Sequence, residues 1–174
     1  MRHNKGFTLI ESLTVVTIMA VLMAIAVPNF TLMQANNRVV GTGNELAAML
    51  KQGRSEALVQ RRNLQFNAIN TSATSNVWGS KGWKVTNPAT TTTLLEQHDV
   101  SPTVTISSTP AVSGIVFLAA TGMITNTDAT ALATGVVFTV CDSATSNEKG
   151  VDVTMSRFGR VAVVRHTSTT KCVP

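Results

Sequence analysis

The sequence predicts an α+β protein in which one long N-terminal helix packs on a mostly antiparallel β-sheet or β-sandwich domain. Three observations predict it. An apolar run occupies Phe7 to Val27, small and apolar residues recur every three or four positions from Val39 to Leu58, and past Asn63 the pattern turns to short alternating stretches punctuated by turn formers. A length of 174 residues suits one globular domain plus the N-terminal segment.

The N-terminal run comes first. Its 21 residues from Phe7 to Val27 contain a single charge, Glu11. As a helix the run is about 31 Å long, which matches the hydrocarbon core of a bilayer. Arg2, His3 and Lys5 precede it, so the N-terminus is expected to stay in the cytoplasm and the rest of the chain to lie outside. Ala24-Ile25-Ala26 fits the small-x-small pattern of an ordinary cleaved signal peptide. The run is longer than a usual signal-peptide core, however, and it holds an acid whose ionised form costs a few kcal/mol in hydrocarbon, less near the interface. A retained anchor accounts better for both features.

The second half of the helix follows Pro28. No proline occurs from Phe30 to Leu64, and Val39, Gly43, Leu46, Leu50, Gly53 and Ala57 form one apolar or small stripe. Lys51, Glu45, Gln52, Glu56 and Gln60 fall largely elsewhere. Gly41, Gly43 and Gly53 each weaken a helix by up to about 1 kcal/mol relative to alanine. They imply either close approach of a sheet or a bend, and the expectation is one interrupted helix from about Thr8 to Arg62.

Seven short strands are predicted beyond it, at 64–69, 82–86, 103–107, 114–118, 136–141, 150–156 and 160–165. Val151, Val153 and Met155 alternate with Asp152 and Thr154, as in a sheet with one wet face. Ser156-Arg157-Phe158-Gly159 suits the hairpin loop between the last two strands. The segments 70–76, 86–93 and 125–135 read as loops.

Composition argues for an extracytoplasmic domain: Tyr is absent, charged residues make up 13%, and Thr, Ser and Ala are abundant. The net charge is +5, and loss of a leader carrying Arg2 and Lys5 leaves twelve basic against nine acidic residues, a mild excess that demands no anionic partner. Cys141 and Cys172 lie outside any CxxC pattern, and in an exported protein they are expected to form one disulfide rather than remain free thiols. His3, His98 and His166 are scattered, and no serine-hydrolase, zinc-protease or phosphate-loop motif occurs. No catalytic, cofactor-binding or metal-ligating set is expected, and the protein is not read as an enzyme.

Gly6-Phe7-Thr8-Leu9-Ile10-Glu11 resembles, position for position, the class III signal of type IV pilins and type II secretion pseudopilins. That resemblance implies cleavage between Gly6 and Phe7 by a prepilin peptidase on the cytoplasmic side, N-methylation of the new terminal Phe7, and a kink at Pro28. Glu11 then lies one helical turn from the new α-amino group. It is expected to pair with the amine of a neighbouring subunit, which offsets part of the cost of a charge in hydrocarbon; the alternative is a carboxylate that snorkels to the headgroups. Gly53-Arg54-Ser55-Glu56-Ala57, then Arg61-Arg62-Asn63, and later Gly159-Arg160-Val161, resemble segments of the GspH/FimT family of pilin-like proteins. Arg54 and Glu56 read either as a solvated face or as packing under the sheet.

The resemblance implies a pilin-like fold with a leader at 1–6, a transmembrane and filament-core helix at 7–34, and a periplasmic domain at 35–174. That domain comprises an amphipathic helix over 35–62 and a β-domain over 63–174. It implies a single-pass inner-membrane protein that later enters an extracellular filament, with major and minor pilins, the inner membrane and the prepilin peptidase as partners and no cofactor. Its implied function is that of a minor pilin that helps prime pilus assembly near the tip, with a pseudopilin of type II secretion and a competence pilin for DNA uptake as alternatives. Some members bind DNA through a GRxR element; here Gly159 and Arg160 match and Ala162 replaces the second arginine. Arg157, Arg160, Arg165 and Lys171 are therefore the candidates for weak DNA contacts, against a solvated basic edge that discourages strand-to-strand aggregation.

Overall fold

The computed structural model describes residues 7–69, 78, 81–98, 100–143, 150–167 and 172. A single helix, α1 (Leu9–Gln60), runs for 52 residues, about 78 Å at the α-helical rise. Thr8 caps its start in extended backbone, its hydroxyl accepting the Glu11 N–H. Arg61 ends it in the left-handed conformation (φ 52°, ψ 39°), and its N–H returns to the Ala57 carbonyl.

The expected interruption does not occur: α1 is continuous through Pro28, Gly41, Gly43 and Gly53. Packing explains two of the glycines. A Cβ on Gly43 would stand 3.0 Å from Val151 Cγ1, and one on Gly53 would stand 2.8 Å from the Phe117 ring and 3.1 Å from Val85. These glycines bring the helix backbone directly onto the sheets, and the dispersion and burial gained offset their poor helix propensity.

Nine strands follow: β1 (Leu64–Ala68), β2 (Trp83–Thr86), β3 (Thr93–Gln97), β4 (Val104–Thr109), β5 (Gly114–Phe117), β6 (Ile124–Asn126), β7 (Val136–Asp142), β8 (Val151–Met155) and β9 (Val161–Arg165). They form two antiparallel sheets, one ordered β3-β2-β1-β5-β6 and the other β4-β7-β8-β9. All seven predicted strands are present within two residues of their expected ends. Two were missed. β3 lies at a sheet edge with Leu94 exposed and shows no buried–exposed alternation. β6 spans only 3 residues, too few for a period-two signal, and falls at the start of a stretch read as loop. The segment 70–76 lies outside the described residues.

Helix and sheets share one core. Leu46 and Leu50 of α1 meet Phe66, Trp83 and Phe117 of the first sheet and Ile106, Phe138 and Met155 of the second, all buried. Trp78 joins the sheets. It stacks on Phe66 (centroids 5.5 Å apart) and meets Phe138 edge-on at 4.9 Å, while its Nε1–H donates to Ser108 Oγ and the Val112 carbonyl. Along β8, Val151, Val153 and Met155 are buried and Asp152 and Thr154 half-buried, the alternation that a one-sided sheet requires.

Cys141, next to last in β7, is bonded to Cys172, with the Cα atoms 5.7 Å apart and both residues buried. The bond fastens the C-terminal end of the chain to the second sheet, with Gly150 (φ 68°) against the Cys172 sulfur. Closing a loop of this length removes entropy from the unfolded chain, so Cys172→Ser is expected to lower stability by about 3–4 kcal/mol. Urea unfolding of the domain from residue 35 onward, with and without reductant, checks this: reduction should reproduce the variant's midpoint in the wild type and leave the variant unchanged.

Candidate assembly interface

The N-terminal half of α1 is bare. Leu9, Ile10, Leu13, Val16, Ile18, Leu22, Ile25, Phe30 and Met33 are all exposed, and among the described side chains Ala35 is the first buried one of the helix. The most apolar window has a mean hydropathy of 2.3, none of it buried within the protein. A bare apolar surface of this length is unstable in water and calls for lipid or other helices around it.

The polar side chains of this half are satisfied internally. Thr14 donates to the Glu11 carbonyl (2.9 Å), Thr17 to the carbonyls of Leu13 and Thr14 (3.0 and 2.8 Å), and Asn29 to that of Ile25 (3.3 Å). Such back-bonding removes the hydrogen-bonding demand that hydrocarbon cannot meet. Glu11 differs. It is the only ionisable side chain between Phe7 and Asn37, it sits exposed in the first turn, and its carboxylate lies at the positive end of the helix macrodipole. Phe7 is exposed immediately before the Thr8 cap. Gly6 lies outside the described residues, as does the side chain of Pro28, whose backbone continues the helix.

From Ala35 onward the helix is locked to the domain by two arginines. Arg38 Nε donates to Asp142 Oδ2 at 2.7 Å, where the carboxylate has no solvent exposure and the arginine is about one-third exposed (34%). This pair ties the helix to the end of β7 just past the bare segment, and sequence reasoning missed it. The available signal was Arg38 itself, the first charged residue after the apolar run. Arg38→Ala is expected to destabilise the domain by about 2 kcal/mol, below the value for a fully buried pair because the arginine is partly solvated. Thermal unfolding against the wild type measures it, and Arg38→Lys should recover part of the loss.

Arg54 is the second lock. Its Nε donates to the Gly122 carbonyl at 2.9 Å, and its side chain lies against Gly122 (φ 65°) and Gly159 (φ 77°) with no room for a Cβ on Gly159. Gly122 belongs to the β5–β6 loop and Gly159 to the β8–β9 turn, and Ile124 N–H donates to the Arg157 carbonyl between them (2.9 Å). Helix, first sheet and second sheet therefore meet at Arg54, which fits the packing reading of this residue. Gly159, singled out from Gly159-Arg160-Val161, is the seat of that arginine.

The candidate DNA residues are not gathered into one patch. Arg157 and Arg160 are exposed in the β8–β9 turn, the Arg157 guanidinium 4.7 Å over the Phe158 ring. Arg165 stands at the other end of β9, about 16 Å away by strand geometry, and lines a cavity with Leu32, Asn36, Val39 and Val151. Lys171 lies outside the described residues. His166 follows β9 and holds Asp152 through Nδ1 (2.8 and 2.9 Å), and Asp152 also accepts from the Thr139 hydroxyl. His98 pairs with Glu96. Asp128, in the β6–β7 connection, is held below the usual carboxylate range by hydrogen bonds from the Thr130 hydroxyl and N–H. Among the described residues no cluster of His, Cys, Asp and Glu has the makings of a metal site.

A lipid-ready apolar helix with one terminal acid, continuous with an amphipathic half packed on antiparallel sheets, defines a membrane-anchored pilin-like protein. Residues 42–159 match the family described as type II transport protein GspH, and residues 1–27 match the prokaryotic N-terminal methylation motif. The chain belongs to the GspH family, a family of structural pilins and pseudopilins. Its structure is similar to that of the type IV minor pilin FimU of Pseudomonas aeruginosa. One crystal form superposes with a TM-score of 0.60 at 25% identity over 76% of this chain and 92% of that one. A second gives 0.55 at 25% identity over 74% and 94%. No curated protein sequence matches.

Proposed function

We propose that this chain is a minor pilin of a bacterial type IV pilus that enters the filament by its N-terminal helix and helps prime assembly near the tip. The observation that carries the reading is the bare half of α1, an exposed apolar rod bearing one carboxylate at its start and continuous with a folded domain. A rod of this kind is stored in a bilayer and then transferred to a bundle of like helices, because both surroundings bury the same apolar surface. In this reading residues 1–6 are a leader removed by the prepilin peptidase, Phe7 becomes the methylated N-terminus, and 7–34 span the inner membrane and later the filament core. The domain 35–174 faces the periplasm and makes lateral contacts with other pilins. Pro28, through which α1 is continuous, is in this reading the position at which the rod can kink on entering the filament. Likeness to FimU supports the pilus reading.

The family description, which names type II transport, favours a second reading as a minor pseudopilin. Deletion of the gene separates the two. Loss of pili and twitching with secretion intact is expected, whereas loss of exported enzymes with pili intact assigns the chain to the secretion machine. The shared turn of Arg157 and Arg160 is what favours DNA contact. A gel shift of the domain at low salt that disappears when Arg157, Arg160 and Arg165 become alanine would support a DNA-uptake role, and no shift would remove it.

A further inference from the structure

An open groove of about 530 Å³ lies at the far end of α1, lined by Arg61, Arg62, Asn63, Asn87, Pro88 and Ala89. It forms where the helix terminus meets the turn between β2 and β3, away from the bare segment. The charged and amide side chains that line it offer mainly donors. Asn63 Oδ1 already accepts the Ala119 N–H (2.9 Å), and Asn87 Oδ1 accepts the Ala89 N–H (3.0 Å). Each amide is thereby oriented, and its NH₂ group is left with both donors free, beside one remaining lone pair on the oxygen. Asn87 is only 6% exposed, and its NH₂ has no partner among the described residues. A buried donor left unmatched costs about 1–3 kcal/mol, so a solvent molecule or ligand is expected to meet it. The two guanidinium groups add only donors, and among the described residues no carboxylate lines the groove.

The negative end of the helix macrodipole explains cations at Arg61 and Arg62. It does not explain an oriented, buried amide donor beside them. Two forked cations with two amide donors match an oxyanion that accepts from several directions at once. From these donors we infer that the groove is an oxyanion-binding site, suited to a phosphoryl group. The groove stands about 42 Å along the helix axis from Met33, so the headgroups of the anchoring bilayer do not reach it. A free phosphate or a phosphoryl group carried on a larger molecule does. This inference holds whether the chain serves a pilus or a secretion machine.

The test uses the full chain in neutral detergent and measures its thermal midpoint in inorganic phosphate against sodium chloride at matched ionic strength. Phosphate is expected to raise the midpoint, with a millimolar apparent affinity that falls at least tenfold in Arg61→Gln/Arg62→Gln. Asn87→Asp keeps the oxygen that holds the turn and replaces the donor by an acceptor, so the difference between its own midpoints in phosphate and in chloride should vanish, a readout that cancels the cost of placing a carboxylate at a buried position. Equal midpoints in phosphate and chloride, or a phosphate response unchanged in both variants, would overturn the site. A short phosphorylated oligonucleotide separates the sources. Tighter binding than inorganic phosphate, lost in the same variants, supports a phosphoryl group on a larger ligand, and equal binding supports the free ion.

Discussion

Gly159→Val is expected to destabilise the domain by about 4 kcal/mol, the sum of left-handed backbone strain and overpacking at a closed contact. Gly159 has φ 77°, and its missing side chain leaves the space that Arg54 fills; a Cβ there would also stand 2.6 Å from the Gly122 carbonyl oxygen. The obstacles on one side are backbone, which does not yield cheaply. Arg54 has no slack either, because its Nε is held by the same Gly122 carbonyl. Moving it breaks the point at which helix and both sheets converge. Urea unfolding followed by the fluorescence of the buried Trp78 and Trp83 measures the loss. A double-mutant cycle gives the sharper check. In an Arg54→Ala background, Gly159→Ala should cost about 1 kcal/mol less than in the wild type, because one of the two obstacles is gone while the positive φ and the Gly122 carbonyl remain. Strict additivity would show that Arg54 and Gly159 do not share this contact.

Glu11→Gln is expected to act at the other end of the molecule and on a different quantity. Domain stability should not change, since among the described residues Glu11 bonds only within the first turns of its own helix. Membrane insertion should be equal or slightly better, because a neutral amide is cheaper than a carboxylate in hydrocarbon. Incorporation into filaments should fall by roughly tenfold or more, the equivalent of losing 1–2 kcal/mol of ion pairing per subunit contact. Quantifying the protein in sheared filaments against the membrane fraction reads the ratio directly. An unchanged ratio would mean that the carboxylate only snorkels to the headgroups.

These two positions also show how legible the protein was in its sequence. Glu11 stands out because a lone acid in an apolar run has a physical cost that needs a reason. The rod follows from its unbroken apolar run, and the seven strands from short β-rich stretches set between turn formers. Gly43 and Gly53 were ambiguous, since a glycine in a helix signals either a bend or a close neighbour. Only the positions of Val151, Val85 and Phe117 against the helix decide for the neighbour. β3 and β6 left little trace because an edge strand and a three-residue strand owe their shape to pairing with β2 and β5 rather than to their own pattern. The locks were hidden for the same reason. Arg38 and Asp142 are 104 residues apart, as invisible to local reading as the seat of Arg54 between Gly122 and Gly159. The basic residues near the C-terminus are dense in sequence, yet the strand they flank holds Arg160 and Arg165 apart.

The central claim is that the chain loses only its first six residues and keeps the whole apolar rod. Intact-mass and N-terminal sequencing of the protein recovered from the membrane decide it in one experiment. The account predicts a chain beginning at N-methylated Phe7 and ending with the disulfide formed; a mature N-terminus at Val27, or an uncut Met1, would contradict it.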